Sequence, residues 1–119
     1  MEDNLEVLQS AFEYIERLYP AVISCSEKLY TGNLAEAYQE IDSISHGLDW
    51  LVNSVGLTQD AHEMDATVLK NTLSEFVEAF ENEDTILMAD LLKYEIGEQL
   101  EKWYQTLKNL LSKIDEDSN

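Results

Sequence analysis

Residues 29–36, Leu-Tyr-Thr-Gly-Asn-Leu-Ala-Glu, contain both the end of one helix and the start of the next. Gly32 can adopt the left-handed conformation that closes many helices at their C-terminal end. Asn33 is a suitable N-cap, and Glu36 stands three residues later, as in a capping box with Asn in place of Ser or Thr. Because the connection is so short, the two helices are predicted to be antiparallel neighbours.

Apolar residues recur at spacings of three and four on both sides of this turn, which is typical of amphipathic helices. The first stripe consists of Leu5, Leu8, Phe12, Ile15, Tyr19, Val22, Ser26 and Leu29. The second consists of Leu34, Ala37, Ile41, Ile44, Leu48, Leu51 and Val55. Pro20 removes one backbone donor inside the first helix and is expected to kink it without ending it. We therefore predict helices over residues 4–31 and 33–55.

Two further helices follow in the second half of the chain. Thr58, Asp60 and Asp65 are each suitable N-caps for a third helix. Asp60, with Glu63 three residues later, is preferred and predicts this helix over residues 60–81. A polar break then precedes a fourth helix over residues 85–114, in which Leu92 is expected to take the core position that falls on Lys93. Residues 115–119 are expected to form a frayed tail. These patterns, with no alternating strand pattern, predict a single all-α domain over residues 1–119, folded as an antiparallel up-down-up-down four-helix bundle.

The charge balance restricts the class of partner. The chain has 25 acidic and seven basic residues and a net charge of −18. Such a surface repels nucleic-acid phosphates and anionic lipids and favours a basic protein partner, so neither nucleic acid nor membrane is expected to bind. The single Cys25 fits a reducing compartment, and the Met-Glu-Asp-Asn start lacks the features of a secretory signal. We therefore expect a cytoplasmic protein.

Residues that could carry catalysis or bind metal are few. A di-iron bundle needs Glu-x-x-His pairs, but Ser43 and Gln59 stand three residues before His46 and His62. Ala66 stands where a zinc motif starting at His62 would need its second histidine. Cys25 lies beside the first stripe and is interpreted as a small core side chain. We predict no catalytic residue, metal or cofactor, and keep an enzyme or small-ligand carrier as the lesser alternative.

Two surfaces are candidates for protein binding. One is an acidic face on the second and third helices, because no Lys or Arg occurs between Leu29 and Leu69. Its candidate residues are Glu36, Glu40 and Asp49. The other is the end where the longer first and fourth helices are expected to project, with candidate residues Leu5, Leu8, Leu110, Leu111 and Ile114. Alternatively, Leu57 and the connection to Asp60 fold over this end.

These surfaces favour a non-catalytic protein-interaction module, chaperone-like or adaptor-like, that binds a basic protein. The alternative is a structural protein that associates with itself as a homodimer through the projecting end. A variant of the binding hypothesis is an acidic nucleic-acid mimic that occupies a basic groove of another protein. Trp103 and Tyr104 are interpreted as core residues, with an interface role as the alternative.

Two stretches carry a resemblance to known proteins: residues 84–96, DTILMADLLKYEI, and residues 14–20, YIERLYP. Through them the chain resembles a group of small acidic helical proteins from Gram-positive bacteria that remain uncharacterised. The resemblance implies a cytoplasmic helical bundle and supplies no function. In size, acidity and architecture the chain is also similar to the export chaperones of flagellar and secretion systems, which is an analogy of shape alone.

Overall fold

The structure is a computed structural model that describes the backbone of residues 2–118 and the side chains of residues 4–114. It is all-helical, with four helices. The first three are α1 (Glu2–Tyr30), α2 (Leu34–Leu57) and α3 (Ala66–Glu81). The fourth, α4, consists of an α-helical part (Thr85–Asp90), a π-helical turn (Leu91–Ile96) and a second α-helical part (Gly97–Ser118). Over residues 2–118 there is no strand.

The turn between α1 and α2 confirms the predicted role of Gly32, which has a φ of +81°. The next amide, that of Asn33, donates to the carbonyl of Lys28 at 2.9 Å and so closes the end of α1. The side chain of Asn33 caps no backbone amide of α2. Its amide group instead donates to the Glu36 carboxylate at 3.2 Å, so the predicted capping-box bond is replaced by a contact between two side chains.

The start of α3 corrects the prediction, because Asp65 rather than Asp60 is the N-cap. The carboxylate of Asp65 accepts a hydrogen bond from the Thr67 amide at 2.9 Å, which lowers the pKa of Asp65. Residues 58–65 instead form a connection with a short 3-10 turn, Gln59–Ala61. Met64 is its buried apolar side chain, whereas Leu57 is 81% exposed and does not fold over the core. The helix predicted from residue 60 is therefore wrong in its first turn and a half.

The π-helical turn of α4 explains why Lys93 interrupts the apolar stripe. A π turn holds one more residue than an α turn, so it shifts the positions that follow onto the buried side. Leu92 is buried and Lys93 is exposed, as predicted. At the end of this turn the Gly97 amide donates to the Leu92 carbonyl, and a Cβ on Gly97 would lie 3.3 Å from Ile23. Gly97 therefore lets α4 approach α1 closely.

The core extends along an elongated molecule of 51 × 21 × 19 Å. Helix α1 contacts α2 and each part of α4, and α3 contacts α2 and α4. The largest fully buried side chains come from all four helices, among them Ile15, Leu48, Leu69 and Leu100. Three boundaries also extend beyond the prediction: α1 begins at Glu2, α2 continues through Gly56 to Leu57, and α4 continues to Ser118, within the expected tail.

Candidate protein-interaction surface

The predicted acidic residues of α2 occupy two different environments. Lys28, at the end of α1, forms an ion pair with Glu40 and lies 3.6 Å from the Glu36 carboxylate. The hydrogen bond with Glu40 is the main cause that raises the pKa of Lys28. Asp49 is exposed, and no Lys or Arg pairs with it within residues 4–114. The structure thus brings Glu36 and Glu40 together beside a lysine and leaves Asp49 apart from them.

An aromatic pair lies on the surface where α2 meets α3. The rings of Tyr38 and Phe80 have their centroids 5.6 Å apart at an interplanar angle of 68°, an edge-to-face contact. Tyr38 is 37% exposed and Phe80 is 44% exposed. Val77, three residues before Phe80 and on the same side of α3, is 53% exposed. Two helices therefore contribute adjoining apolar side chains that solvent reaches.

Carboxylates flank this pair. Asp42 lies one turn after Tyr38 on α2, and Glu81 lies one turn after Val77 on α3, so both share its face. Both acidic residues are exposed. We define the α2–α3 patch as Tyr38, Val77 and Phe80 together with Asp42 and Glu81. It combines apolar side chains that can be desolvated with acidic side chains that remain in solvent, which is the anatomy of an interface centre and its rim.

The α2–α3 patch contains residues that the sequence analysis did not select. In the sequence, Phe80 is the last member of the apolar stripe of α3, which consists of Ala66, Leu69, Leu73, Phe76 and Phe80. In the structure it is the second-to-last residue of α3 and is 44% exposed. Tyr38 directly follows the buried Ala37 and belongs to no stripe. The sequence contains one signal for Tyr38, because this aromatic residue lies in the stretch without Lys or Arg between Leu29 and Leu69.

The projecting end offers less apolar surface than predicted. Leu8 is only 2% exposed and belongs to the core. Leu5, Leu110, Leu111 and Ile114 are half-buried, and Leu110 packs against core residues. Of the predicted contact residues at this end, Leu8 is therefore not accessible to a partner and the other four are accessible in part.

Two tryptophans occupy different positions. Trp103 is buried and lies in the core. Its neighbour Tyr104 is half-buried and stacks on Phe12, with ring centroids 4.7 Å apart. Trp50 is 41% exposed and forms an edge-to-face pair with Tyr14, with ring centroids 5.6 Å apart. Gly47 makes room for this tyrosine, since a Cβ there would lie 2.0 Å from the Tyr14 hydroxyl oxygen.

Cys25 has the environment of a core side chain. It is fully buried, and its thiol lies 3.6 Å from the Ala37 carbonyl oxygen as a weak donor. Burial, with the nearby Glu40 carboxylate, raises the pKa of the Cys25 thiol to about 11. The thiol therefore stays protonated at neutral pH, and the thiolate needed for nucleophilic attack is scarce.

His62 joins α2 to the connection that follows it. Its Nδ1 accepts a hydrogen bond from the Met64 amide at 3.0 Å, which leaves the proton of the neutral ring on Nε2. Nε2 lies 3.0 Å from the Thr58 hydroxyl oxygen and 3.2 Å from the Val55 carbonyl oxygen. Burial lowers the pKa of His62, in agreement with a neutral ring that holds the connection in place.

Neither a metal site nor a membrane span is found in the part of the chain that the structure describes. No three His, Cys, Asp or Glu side chains there come together in a group that could hold a metal ion. The described helices also include none with an apolar segment long enough to cross a bilayer.

Comparison with known proteins assigns the chain to a family. Residues 6–106 match the family model described as "Domain of unknown function (DUF8042)". No curated protein and no solved structure matches the chain. The matched range includes the α2–α3 patch and nearly all of the core. The chain therefore belongs to the family defined by this domain of unknown function.

Proposed function

We propose that this protein is a non-catalytic interaction module, chaperone-like or adaptor-like, that binds a basic protein through the α2–α3 patch. The observation that carries the proposal is the exposed Tyr38–Phe80 pair with the exposed carboxylates of Asp42 and Glu81 on the same face. Aromatic side chains are enriched at the centres of interfaces, where their burial supplies most of the binding energy. The patch residues of α2 lie in the stretch 30–68 and those of α3 in the stretch 71–92, and neither stretch contains Lys or Arg, so the field of the patch attracts cations.

A partner of the opposite charge follows from electrostatics. With a net charge of −18, the chain repels acidic proteins and nucleic acids and accelerates encounter with basic ones. The carboxylates at the rim of the patch remain hydrated when a partner binds, so they contribute mainly to the association rate. The apolar centre, by contrast, sets the dissociation rate. Binding at this surface is therefore expected to weaken as salt rises without disappearing.

The architecture proposed for the module is an antiparallel up-down-up-down bundle in which Pro20 kinks α1. Contacts between α1 and α2 support it, because Tyr14 contacts Trp50 whereas Cys25 contacts Ala37, so residue numbers rise on one helix as they fall on the other. Two contacts between α1 and α4 follow the same rule: Phe12 stacks on Tyr104, and the Tyr30 hydroxyl donates to Asp90. The kink rests on the missing N–H of Pro20.

The proposal is tested by comparing captured proteins. Tagged wild-type chain, a Tyr38→Ser/Phe80→Ser variant and a Leu57→Ser/Val68→Ser control are exposed to extract of the source cells. The control removes two exposed apolar side chains outside the patch, 81% and 51% exposed. We expect a basic protein to be captured by the wild type and the control and to be lost with the Tyr38→Ser/Phe80→Ser variant. Equal capture of the same proteins by all three chains contradicts the proposal.

The second candidate, a homodimer through the end formed by residues at the start of α1 and the end of α4, is supported by the half-buried Leu5, Leu110, Leu111 and Ile114. Electrostatic repulsion opposes this homodimer, because each of the two copies has a net charge of −18. Self-association of this kind therefore requires high salt, whereas binding of a basic partner is favoured by low salt. The salt dependence of sedimentation separates the two.

A further inference from the structure

A groove lies between α1 and the last part of α4, separate from the α2–α3 patch. Its volume is about 440 Å³, and the side chains of Ile15 and Leu100, which are buried, form its floor. Its other lining residues are Glu16, Tyr19 and Pro20 from α1 and Glu101, Tyr104 and Gln105 from α4. We call this the α1–α4 groove. Its lining includes two carboxylates and two phenol rings and no Lys, Arg or His.

The aromatic wall of the groove is held in place by contacts with α1. The ring of Tyr104 stacks on Phe12 with an interplanar angle of 19°. Its hydroxyl donates to the Glu16 carboxylate at 3.4 Å, a long hydrogen bond that connects the two sides of the groove. A ring fixed on one face by stacking leaves its other surfaces for a ligand, so the wall is organised before anything binds.

Pro20 removes the usual hydrogen-bond donor to the backbone carbonyl of Glu16, another residue that lines the groove. In a regular helix the carbonyl of Glu16 would accept a hydrogen bond from the amide four residues later, and that position is Pro20, which has no N–H. Both residues line the groove. Glu16 therefore has two kinds of acceptor, its carboxylate and a backbone carbonyl without its usual intrahelical donor.

The guanidinium group of arginine fits this combination of features better than other common side chains do. It is planar, stacks on aromatic faces and has five N–H donors for several acceptors, and its aliphatic stem packs on apolar surface. A lysine ammonium lacks the planar stacking face, and a neutral side chain leaves the carboxylates without compensation for lost water. We propose that the α1–α4 groove binds the side chain of an arginine presented by a partner protein. The inference does not depend on the α2–α3 patch, which lies on two other helices.

The test is an NMR titration of the ¹⁵N-labelled full chain with the peptide acetyl-Gly-Ala-Arg-Ala-Gly-amide at low salt. A second peptide carries citrulline, a neutral side chain of nearly the same shape, in place of arginine. We expect saturable shifts of the amides of residues 15–20 and 100–105 with the arginine peptide, and binding about tenfold weaker or worse with citrulline. Equal affinity for the two peptides overturns the proposal, because the groove would then be an apolar cleft without a preference for cations.

A matched pair of variants separates the groove from the overall charge. The Glu16→Gln/Glu101→Gln variant removes the two carboxylates of the groove, and the Glu75→Gln/Glu78→Gln control removes two exposed carboxylates of α3. We expect the first to bind the arginine peptide about tenfold more weakly than the wild type and the second to change its affinity by less than about twofold. Equal losses in both variants overturn the proposal in favour of diffuse attraction by the acidic surface.

Discussion

Two phenylalanines one turn apart on α3 allow a direct test of the exposed patch. Phe76 is 4% exposed, in the core, whereas Phe80 is 44% exposed and contacts Tyr38. Truncating a fully buried phenylalanine to alanine costs about 3–5 kcal/mol, because transfer energy is lost and a cavity forms. Complete burial of such a side chain contributes about 1.5–3 kcal/mol, so the partial burial of Phe80 contributes about 1–2 kcal/mol. We therefore expect Phe76→Ala to lower the free energy of unfolding at least about twice as much as Phe80→Ala.

The assay is urea unfolding followed by circular dichroism at 222 nm, with the wild type as reference. A urea m-value of about 1–3 kcal/mol/M, set by the surface exposed on unfolding, converts the midpoint shifts into free energies. Both variants should keep the helical signal and the m-value, so their midpoint shifts can be compared directly. We expect the larger shift for Phe76→Ala. Equal losses for the two variants would mean that Phe80 is a core side chain, and the argument for the α2–α3 patch would fail.

Four further outcomes are expected. Pro20→Ala should raise the free energy of unfolding by about 1 kcal/mol or more in urea titrations, because it restores a donor to the Glu16 carbonyl; a lower stability would contradict the assumed backbone strain. The folded-state pKa of His62 is lowered, so the unfolded state takes up its proton first, and this contribution to stability is lost as pH falls below about 6.5. Wild type should therefore lose stability relative to His62→Gln between about pH 7 and 5, and parallel pH profiles of the two would refute the assignment. Cys25 should react with iodoacetamide only at the rate of unfolding, as followed by mass spectrometry, because it is buried and its pKa is about 11; rapid labelling of the native chain would refute this. Leu110→Asp should leave the sedimentation coefficient unchanged if the protein does not associate through its projecting end, and dissociation of a wild-type dimer by this substitution would favour the self-association hypothesis.

The helix count and the first turn could be predicted from the sequence, because both depend on local chemistry. The spacing of apolar residues identifies four helices, and Gly32 marks the end of α1 through its left-handed φ. In the sequence, the π-helical turn is indicated only by the charged Lys93 at a position of the apolar stripe. The pattern shows that the stripe shifts there, but it does not identify the backbone conformation that produces the shift. Asp60 and Asp65 are both acceptable caps, and local sequence does not distinguish them.

Hydrogen bonds in the connection before α3, which capping rules do not consider, explain why α3 begins after Asp65 and not after Asp60. Thr58 is buried and donates from its hydroxyl to the Ser54 carbonyl at 2.8 Å, and His62 accepts from the Met64 amide. These bonds hold residues 58–65 in a connection that a helix starting at Asp60 would disrupt. Periodicity reports which side of a segment is apolar, and it carries no information about such hydrogen bonds between side chains and backbone.

The candidate site was predicted in part. The acidic stretch indicated the two helices on which we propose the α2–α3 patch, because charge distribution can be read directly from the chain. The aromatic contact between Tyr38 and Phe80 could not be read, since it needs the pairing of α2 with α3 and the position of Phe80 near the end of its helix. For the same reason Leu8, on a clear stripe, is core rather than surface: its exposure depends on the neighbouring helices.

The central claim is that a basic partner covers the α2–α3 patch, and hydrogen–deuterium exchange of the chain with and without the captured partner tests it most directly. We expect slower exchange in residues 38–49 and 74–84 when the partner is bound, with little change elsewhere on α2 and α3. Protection confined to the start of α1 and the end of α4, with α2 and α3 unchanged, would contradict the claim and assign binding to the opposite candidate surface.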